Sequence, residues 1–123
     1  MKVLSWNYKG LGIKAKEEAM KKLIRLAQLD TLLIQETKME KDMFLQVSAN
    51  FWKKGGRSAV SSSGASRGIG TLWDDQKFEL IESKHCLRCI LTKLLHKDSN
   101  IQVSLFNIYV PAMYAEKKIV GTS

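Results

Sequence analysis

Thr31-Leu32-Leu33-Ile34-Gln35-Glu36 is a compact apolar run that ends in polar residues. Such a run is typical of a strand that is buried on both faces, as strands are in a parallel sheet. Before it, apolar residues recur at helical spacing from about Ala15 to Gln28, and residues 2–7 alternate as a short strand does. The sequence therefore predicts a β-α-β unit over residues 2–36, with a right-handed crossover.

The chain beyond Glu36 predicts one more helix and then several strands. Short polar turns separate the last four apolar segments, which favours antiparallel pairing. We therefore expect an α/β (α+β) fold, a mixed sheet with helices packed on it, in a single domain over residues 1–123. The expected elements are a short helix around Met39, Met43, Phe44 and Val47, a strand opening at Phe51-Trp52, a basic Ser- and Gly-rich loop over residues 53–68, and strands near 68–73, 77–83, 87–95 and 100–110.

The charge of the chain is strongly positive. Twenty Lys and Arg stand against 12 Asp and Glu, which gives a net charge of +8 and a pI near 9.6. Excess positive charge attracts polyanions, chiefly nucleic acid, although a generally basic and well-solvated surface accounts equally well for scattered lysines.

The rest of the composition indicates an intracellular protein. No secretory signal is evident, no segment is long and apolar enough to span a bilayer, and two cysteines are too few for a disulfide scaffold. We therefore expect no membrane partner. Nuclear and cytoplasmic locations both remain open.

Two polar residues end the two predicted parallel strands. Asn7 ends the first and Glu36 ends the second, so both arrive at the same edge of the sheet, where open α/β sheets bind ligands. Glu36 could offer a carboxylate oxygen to Mg²⁺, and Asn7 could offer its amide to the metal or a phosphate. Polar residues also end strands where the chain re-enters water, and spacing alone leaves both interpretations open.

Four motifs occur in a fixed order along the chain: Leu4-Ser5-Trp6-Asn7 with Gly10-Leu11-Gly12, then Leu33-Ile34-Gln35-Glu36-Thr37-Lys38, then Ser66-Arg67-Gly68-Ile69-Gly70-Thr71-Leu72-Trp73, and finally Phe106-Asn107-Ile108-Tyr109-Val110-Pro111. Together they resemble the N-terminal half of the endonuclease/exonuclease/phosphatase superfamily. The similarity is greatest to the endonuclease domain of plant LINE-type retrotransposon polyproteins. Tyr8 stands where those plant relatives commonly have Cys.

The resemblance implies a Mg²⁺-dependent phosphodiesterase site. Glu36 would hold the metal, Asn7 would help to orient the metal and the phosphate, and Tyr109 would contact the scissile phosphate. Packing of Tyr109 in the core is the alternative reading of that residue. The implied fold has two sheets face to face, with helices outside.

The resemblance also implies a catalytically incomplete chain. The family places an Asp-x-Asn motif and an Asp-His pair after the strand that carries the Tyr, and residues 112–123 contain neither. The expectation is thus a truncated, retroelement-derived domain that lacks its C-terminal half and is inactive alone. Its exposed sheet surface would permit self-association.

Two further motifs have competing readings. The loop Ser63-Gly64-Ala65-Ser66-Arg67-Gly68-Ile69-Gly70 has the glycine spacing of an NAD(P)-binding turn, with Tyr114 and Lys118 spaced as in short-chain dehydrogenases. Its context, a poor strand before and no helix after, favours a flexible loop. Cys86-Leu87-Arg88-Cys89 could be half a zinc site, but two mostly buried thiols on one strand are expected instead.

Non-catalytic, non-specific nucleic-acid binding remains the other functional reading. Basic side chains would contact phosphates while Trp52 stacks on a base. The expected contacts are Lys53, Lys54, Arg57 and Arg67.

Overall fold

A computed structural model describes residues 1–9, 14–62, 67–86 and 88–110 of the chain. The predicted glycine turn at Gly10-Leu11-Gly12 lies outside these residues. The described elements are β1 (Val3–Asn7), α1 (Lys14–Ala27), β2 (Thr31–Gln35), α2 (Lys41–Ser48), β3 (Gly55–Val60), β4 (Ile69–Asp74), β5 (Phe78–Cys86), β6 (Cys89–His96) and β7 (Gln102–Ile108).

The predicted β-α-β unit is confirmed. β1 and β2 pair in parallel, in a register that runs from Val3 opposite Thr31 to Asn7 opposite Gln35. All five residues of β2 are buried, as expected for a strand covered on both faces. The short second helix is also confirmed, as α2.

The first sheet has four strands in the order β1-β2-β4-β3, and β4 runs antiparallel to both of its neighbours. The predicted loop over residues 53–68 is therefore wrong in part, because its Gly- and Ser-rich centre forms β3. Gly56 pairs with Trp73, and a Cβ at Gly56 would lie 2.2 Å from the indole ring. The glycine that suggested a loop is thus needed for the strand to lie beside a tryptophan.

The strand predicted to open at Phe51-Trp52 is also wrong. The backbone amides of both residues donate to the carbonyl of Ser48, so they close the turn after α2. Both side chains are buried, which accounts for their apolar character without a strand.

The second sheet is antiparallel, in the order β5-β6-β7. The four predicted C-terminal strands are confirmed, but they do not form one continuous series. β4 belongs to the first sheet, while β6 and β7 pack against β4 and β2. Two sheets in contact make up the fold, one mixed and one antiparallel, and this confirms the expected fold class.

Alternation along the strands assigns the two faces of the first sheet. Leu32, Ile34 and Leu72 face α1 and α2, where they form the main core with Met20, Ile24, Phe44 and Trp52. The opposite face meets the second sheet through two smaller clusters, which contain Trp73, Phe78, Leu94 and Leu105, and Ile69, Ile90 and Tyr109.

The outer side of β7 is exposed and partly apolar. Phe106 and Ile108 are 59% and 51% exposed. Self-association through this surface stays a prediction. Within the described ranges, no helix is long and apolar enough to cross a membrane.

Candidate metal and phosphate site

Glu36 and Tyr109 meet at the edge of the molecule where β2 and β7 end. The Tyr109 hydroxyl lies 3.5 Å from Glu36 Oε1, at the outer limit of a hydrogen bond. Tyr109 is buried, and its backbone amide donates to the carbonyl of Arg88 at 2.9 Å. Glu36 is half-buried. The structure therefore brings together two predicted site residues that are 73 positions apart.

Asn7 ends β1 directly beside Gln35, the residue before Glu36. Neighbouring strands lie about 4.8 Å apart, so Asn7 shares the edge with Glu36. Its side chain is exposed and makes no hydrogen bond with any other described residue. Asn7 is thus available to a ligand, whereas Tyr109 is held in place.

The backbone around Glu36 is unusual. Glu36 and Lys38 have φ angles of 55° and 58°, and the facing residues Arg67 and Gly68 have 52° and 82°. The amide of Thr37 donates to Gly68 O, and that of Lys38 donates to Arg67 O, both at 3.0 Å. Left-handed backbone costs about 1–2 kcal/mol for a residue with a side chain and persists only where its surroundings fix it. Here the segment at Arg67 and Gly68 fixes the turn that presents Glu36.

Asn107, for which the sequence predicted no role, joins the two sheets just behind this edge. It is 1% exposed. Its Oδ1 accepts from Gln35 Nε2 at 2.8 Å, and its Nδ2 donates to Gly70 O at 2.8 Å and Thr71 Oγ1 at 3.1 Å. Gln35 Nε2 also donates to Ser5 Oγ at 3.0 Å. This network ties β7 to β1, β2 and β4.

A signal for Asn107 exists in the sequence. Leu105, Asn107 and Tyr109 alternate on one face of β7, and all three are buried. An amide on an apolar face needs buried partners. A polar residue that alternates with inward-facing apolar residues therefore indicates a buried hydrogen-bonding role for Asn107.

Tyr8 is a structural residue beside the site. It is buried, its hydroxyl donates to the carbonyl of Lys16, and Lys16 Nζ donates to Tyr8 O at 3.0 Å. Burial, reinforced by the charge of Glu17, raises the pKa of Tyr8 to about 12. The phenol is therefore neutral at physiological pH and ties β1 to the start of α1.

The four predicted nucleic-acid contacts do not form one surface. Arg67 is exposed beside the Glu36 turn. Lys54 Nζ donates to Leu29 O at 2.6 Å, just before the start of β2, and therefore lies at the opposite edge with Lys53. Arg57 Nη1 lies 3.4 Å from Leu45 O, against α2.

The predicted base stacking by Trp52 is wrong. Trp52 is 1% exposed, and its Nε1 donates to Trp73 O at 2.9 Å. A ring in the core cannot stack on a nucleotide.

The expected pair of buried thiols on one strand is also wrong. β5 ends at Cys86 and β6 begins at Cys89, so the two residues lie opposite each other across a hairpin. Cys86 is exposed and Cys89 is half-buried. Burial, with a further contribution from Cys86, raises the pKa of Cys89 to about 11. Such a thiol is largely protonated at neutral pH and is a poor nucleophile.

The NAD(P)-binding interpretation is wrong, because the glycines are followed by a strand. Ile69 begins a strand, β4, whereas the dinucleotide turn needs a helix there. The expectation of a poor strand beforehand was wrong, because Ala59 and Val60 end β3. Residues 63–66, Tyr114 and Lys118 lie outside the described residues.

The donor set at the edge limits the metal it fits. In the described part of the chain, no group of three His, Cys, Asp or Glu side chains is arranged to hold a metal ion. Mg²⁺ commonly keeps several waters and takes one or two carboxylates together with substrate phosphates. Glu36 and Asn7 fit such a largely hydrated ion and do not fit a dedicated cage.

Comparison with solved structures shows the fold of this chain. It is similar to the catalytic domain of APE2 from Xenopus laevis, with a TM-score of 0.66 and 20% identity over 90% of this chain and 45% of that one. It is similar to the AP endonuclease LMAP from Leishmania major, with a TM-score of 0.62 and 19% identity over 88% and 39% of the respective chains. It is also similar to a humanized TDP2 of D. rerio, with a TM-score of 0.59 and 10% identity over 94% and 50%.

These similarities show an endonuclease/exonuclease/phosphatase-type fold. The chain spans half or less of the length of each of the three structures. No protein-family model matches the sequence, and no curated protein does.

Proposed function

We propose that this chain, which has the endonuclease/exonuclease/phosphatase fold, carries the metal- and phosphate-binding part of a phosphodiesterase site. The observation that carries the proposal is the meeting of Tyr109 and Glu36, with 3.5 Å between hydroxyl and carboxylate. Both residues belong to the ordered sequence motifs. Their convergence supports the reading of those motifs as one site.

Each side chain has a distinct task in this proposal. The half-buried carboxylate of Glu36 binds a hydrated divalent cation, which when bound neutralises charge on a phosphate. The Tyr109 hydroxyl, turned from Glu36, donates to a non-bridging phosphate oxygen. The exposed amide of Asn7 donates to the same phosphate or completes the hydration shell of the cation. These contacts bind and orient a phosphodiester, which is one component of catalysis.

The proposal includes catalytic incompleteness of the 123 residues alone. Hydrolysis needs a positioned base to activate water. Residues 110–123 contain no Asp, Asn or His, so the Asp-x-Asn and Asp-His motifs implied by the resemblance do not follow Tyr109 in this sequence. We propose that these 123 residues bind and orient a phosphodiester without supplying the groups that activate water.

A retroelement origin is the finer part of the proposal. It rests on the order of the four motifs, in which the strand ending in Asn7 precedes the Glu36 strand, the glycine-rich entry to β4 and the Tyr109 strand. The substrate class that follows is nucleic acid, in agreement with the net charge of +8.

Two measurements test the site and its incompleteness separately. Mn²⁺, a paramagnetic substitute for Mg²⁺, should broaden the NMR signals of Glu36 and Tyr109, and the Glu36→Gln variant should lose this effect. Glu40→Gln is the matched control, because Glu40 is an exposed carboxylate four residues away. Broadening that survives in Glu36→Gln, or that disappears equally in Glu40→Gln, would refute the metal site.

Catalytic incompleteness is tested by nicking of supercoiled plasmid in Mg²⁺, beside an EDTA control, on protein shown by circular dichroism to be folded. We expect no nicking. Nicking that requires both Mg²⁺ and Glu36 would show that other groups replace the absent base, and the claim of incompleteness would be wrong.

A further inference from the structure

A broad groove lies at the edge of the first sheet opposite to Glu36. β1 and β2 run in parallel toward Asn7 and Gln35, so the residues before them, Lys2 and Asp30, mark the far edge. The second half of α1 forms one wall of the groove, and the turn between α2 and β3 forms another. The volume of the groove is about 1010 Å³.

The lining of this groove is strongly cationic. Six of its twelve residues are Lys or Arg, and one, Asp30, is acidic. The cations come from the start of the chain, α1, the turn after α2, and the turn between β4 and β5, so they surround the groove. They are Lys2, Lys21, Arg25, Lys53, Lys54 and Lys77.

The single acidic side chain is already neutralised. Lys77 Nζ donates to Asp30 Oδ1 at 2.7 Å, and the backbone amide of Lys2 donates to Oδ2 at 2.9 Å. Burial opposes ionisation of Asp30, but these two hydrogen bonds outweigh it, and the pKa of the carboxyl lies below its ordinary value. Asp30 therefore remains charged and pairs with Lys77.

Three cations around the groove have neither an acidic partner nor a side-chain hydrogen bond among the described residues. Lys54 is held by Leu29 O at 2.6 Å, and Lys21 pairs with Glu18 at 3.2 Å. The side chains of Lys2, Arg25 and Lys53 are exposed and form no such pair. They project from three separate segments around one concavity, where their mutual repulsion favours a bound anion.

We propose that this groove binds the sugar-phosphate backbone of nucleic acid. A linear polyanion fits a concave surface walled by cations, whereas a flat anionic membrane would engage a convex one. The aromatic ring at the groove, Phe51, is 3% exposed and cannot stack on a base. The contacts are therefore with phosphates, and binding has no sequence preference. This site is independent of the Glu36 edge and needs no divalent metal.

The test is fluorescence anisotropy of a labelled oligo(dT) in EDTA, over a series of salt concentrations. The groove variant carries Lys2→Gln, Arg25→Gln and Lys53→Gln, and none of these changes removes a side-chain hydrogen bond to another described residue. The control variant carries Lys14→Gln, Lys41→Gln and Lys84→Gln, which are exposed, do not line the groove and lower the net charge equally. Circular dichroism confirms folding of both.

Loss of the three cations should weaken binding at low salt by at least about tenfold and reduce the slope of log K against log[salt] by about 2. The control should retain most of the affinity. Equal loss in both variants would mean diffuse attraction by the whole surface, and an unchanged groove variant would mean binding elsewhere. Either result overturns the proposal, as would preferential, groove-dependent binding to phosphatidylserine vesicles. Because EDTA is present throughout, none of these outcomes depends on the Glu36 site.

Discussion

Replacing Asn107 by Ala tests whether one buried amide holds the two sheets in place. The change removes the acceptor for Gln35 Nε2 and the donor to Gly70 O and Thr71 Oγ1. The vacated space is 1% exposed in the native chain. Water therefore has little access to replace the lost partners.

The magnitude follows from the three shortest contacts of the Asn107 amide, which span 2.8–3.1 Å, whereas a fourth, from Nδ2 to Ile34 O, is longer at 3.3 Å. A buried hydrogen bond contributes about 1 kcal/mol net, and a partner left unsatisfied adds to the loss. We therefore expect Asn107→Ala to lower the free energy of unfolding by about 3 kcal/mol. For a chain of this size that corresponds to a fall in Tm of about 12 °C.

Urea unfolding followed by tryptophan fluorescence measures this change, because Trp52 and Trp73 are both buried. Asn50→Ala is the matched control, since Asn50 is exposed and its side chain forms no hydrogen bond with another described residue. The control should change stability by less than about 0.5 kcal/mol. If Asn107→Ala costs no more than this control, the amide does not link the sheets and the reasoning is wrong.

Three other substitutions test further contacts within the fold. Tyr8 has a pKa of about 12 in the folded chain against an ordinary value of 10.0, so its contribution to stability is present below pH 10 and is lost as the pH rises from 10 toward 12. Over this interval, the free energy of unfolding in urea should fall more steeply for the wild type than for Tyr8→Phe, and parallel curves would contradict this. At Glu36, where φ is 55°, Glu36→Gly should be more stable than Glu36→Ala by about 1 kcal/mol although both lack the proposed metal-binding carboxylate. Equal stability of the two variants in urea would refute the backbone strain. A Cβ at Gly70 would lie 2.2 Å from the Phe44 ring, so Gly70→Ala should destabilise the chain by about 1–3 kcal/mol. In thermal melts, adding Phe44→Leu should restore part of the lost Tm, and no recovery would mean that the clash lies elsewhere.

The parts of the fold that the sequence predicted are those encoded by local periodicity. The buried run at 31–36 and the helical spacing before it required no partner to be recognised. β3 was missed because Gly55 and Gly56 are ordinarily loop residues. Gly56 is needed beside Trp73, 17 positions later, and this requirement becomes visible only once the strands are paired.

The division into two sheets agrees with the resemblance, which implied two sheets face to face, but the local sequence pattern alone does not give it. Short turns favour pairing between consecutive strands, and that rule holds for β5, β6 and β7. β4 instead pairs with β2, which lies far earlier in the chain. The residue pattern of β4 indicates that both of its faces are covered, but it does not identify the elements that cover them.

The sequence predicts the three candidate site residues, but it does not give the contacts that hold them in place. Parallel strands placed Asn7 and Glu36 at one edge, while Tyr109 came from the ordered motifs. No periodicity gives the distance between Glu36 and Tyr109. Alternation with Leu105 and Tyr109 indicates that Asn107 faces inward, but it does not identify the hydrogen-bond partners on which its role depends.

The geometry of the Glu36 edge depends more on Asn107 than on the contact between Glu36 and Tyr109 themselves. That contact is long, at 3.5 Å, and contributes little. Gln35 precedes Glu36, Asn107 lies two residues before Tyr109, and the bond between them is short, at 2.8 Å. The distance between Glu36 and Tyr109 is therefore set by the buried hydrogen bond between Gln35 and Asn107.

Because of this arrangement, one substitution can test how the site residues are held in place without removing any of them. Asn107→Ala leaves the side chains of Glu36, Asn7 and Tyr109 intact, yet it should weaken Mn²⁺-dependent broadening at Tyr109 more than at Glu36, because it frees β7 from β2. Loss at both residues alike would mean that Glu36 itself has moved. Unchanged broadening in a destabilised variant would mean that the 3.5 Å contact sets the spacing after all.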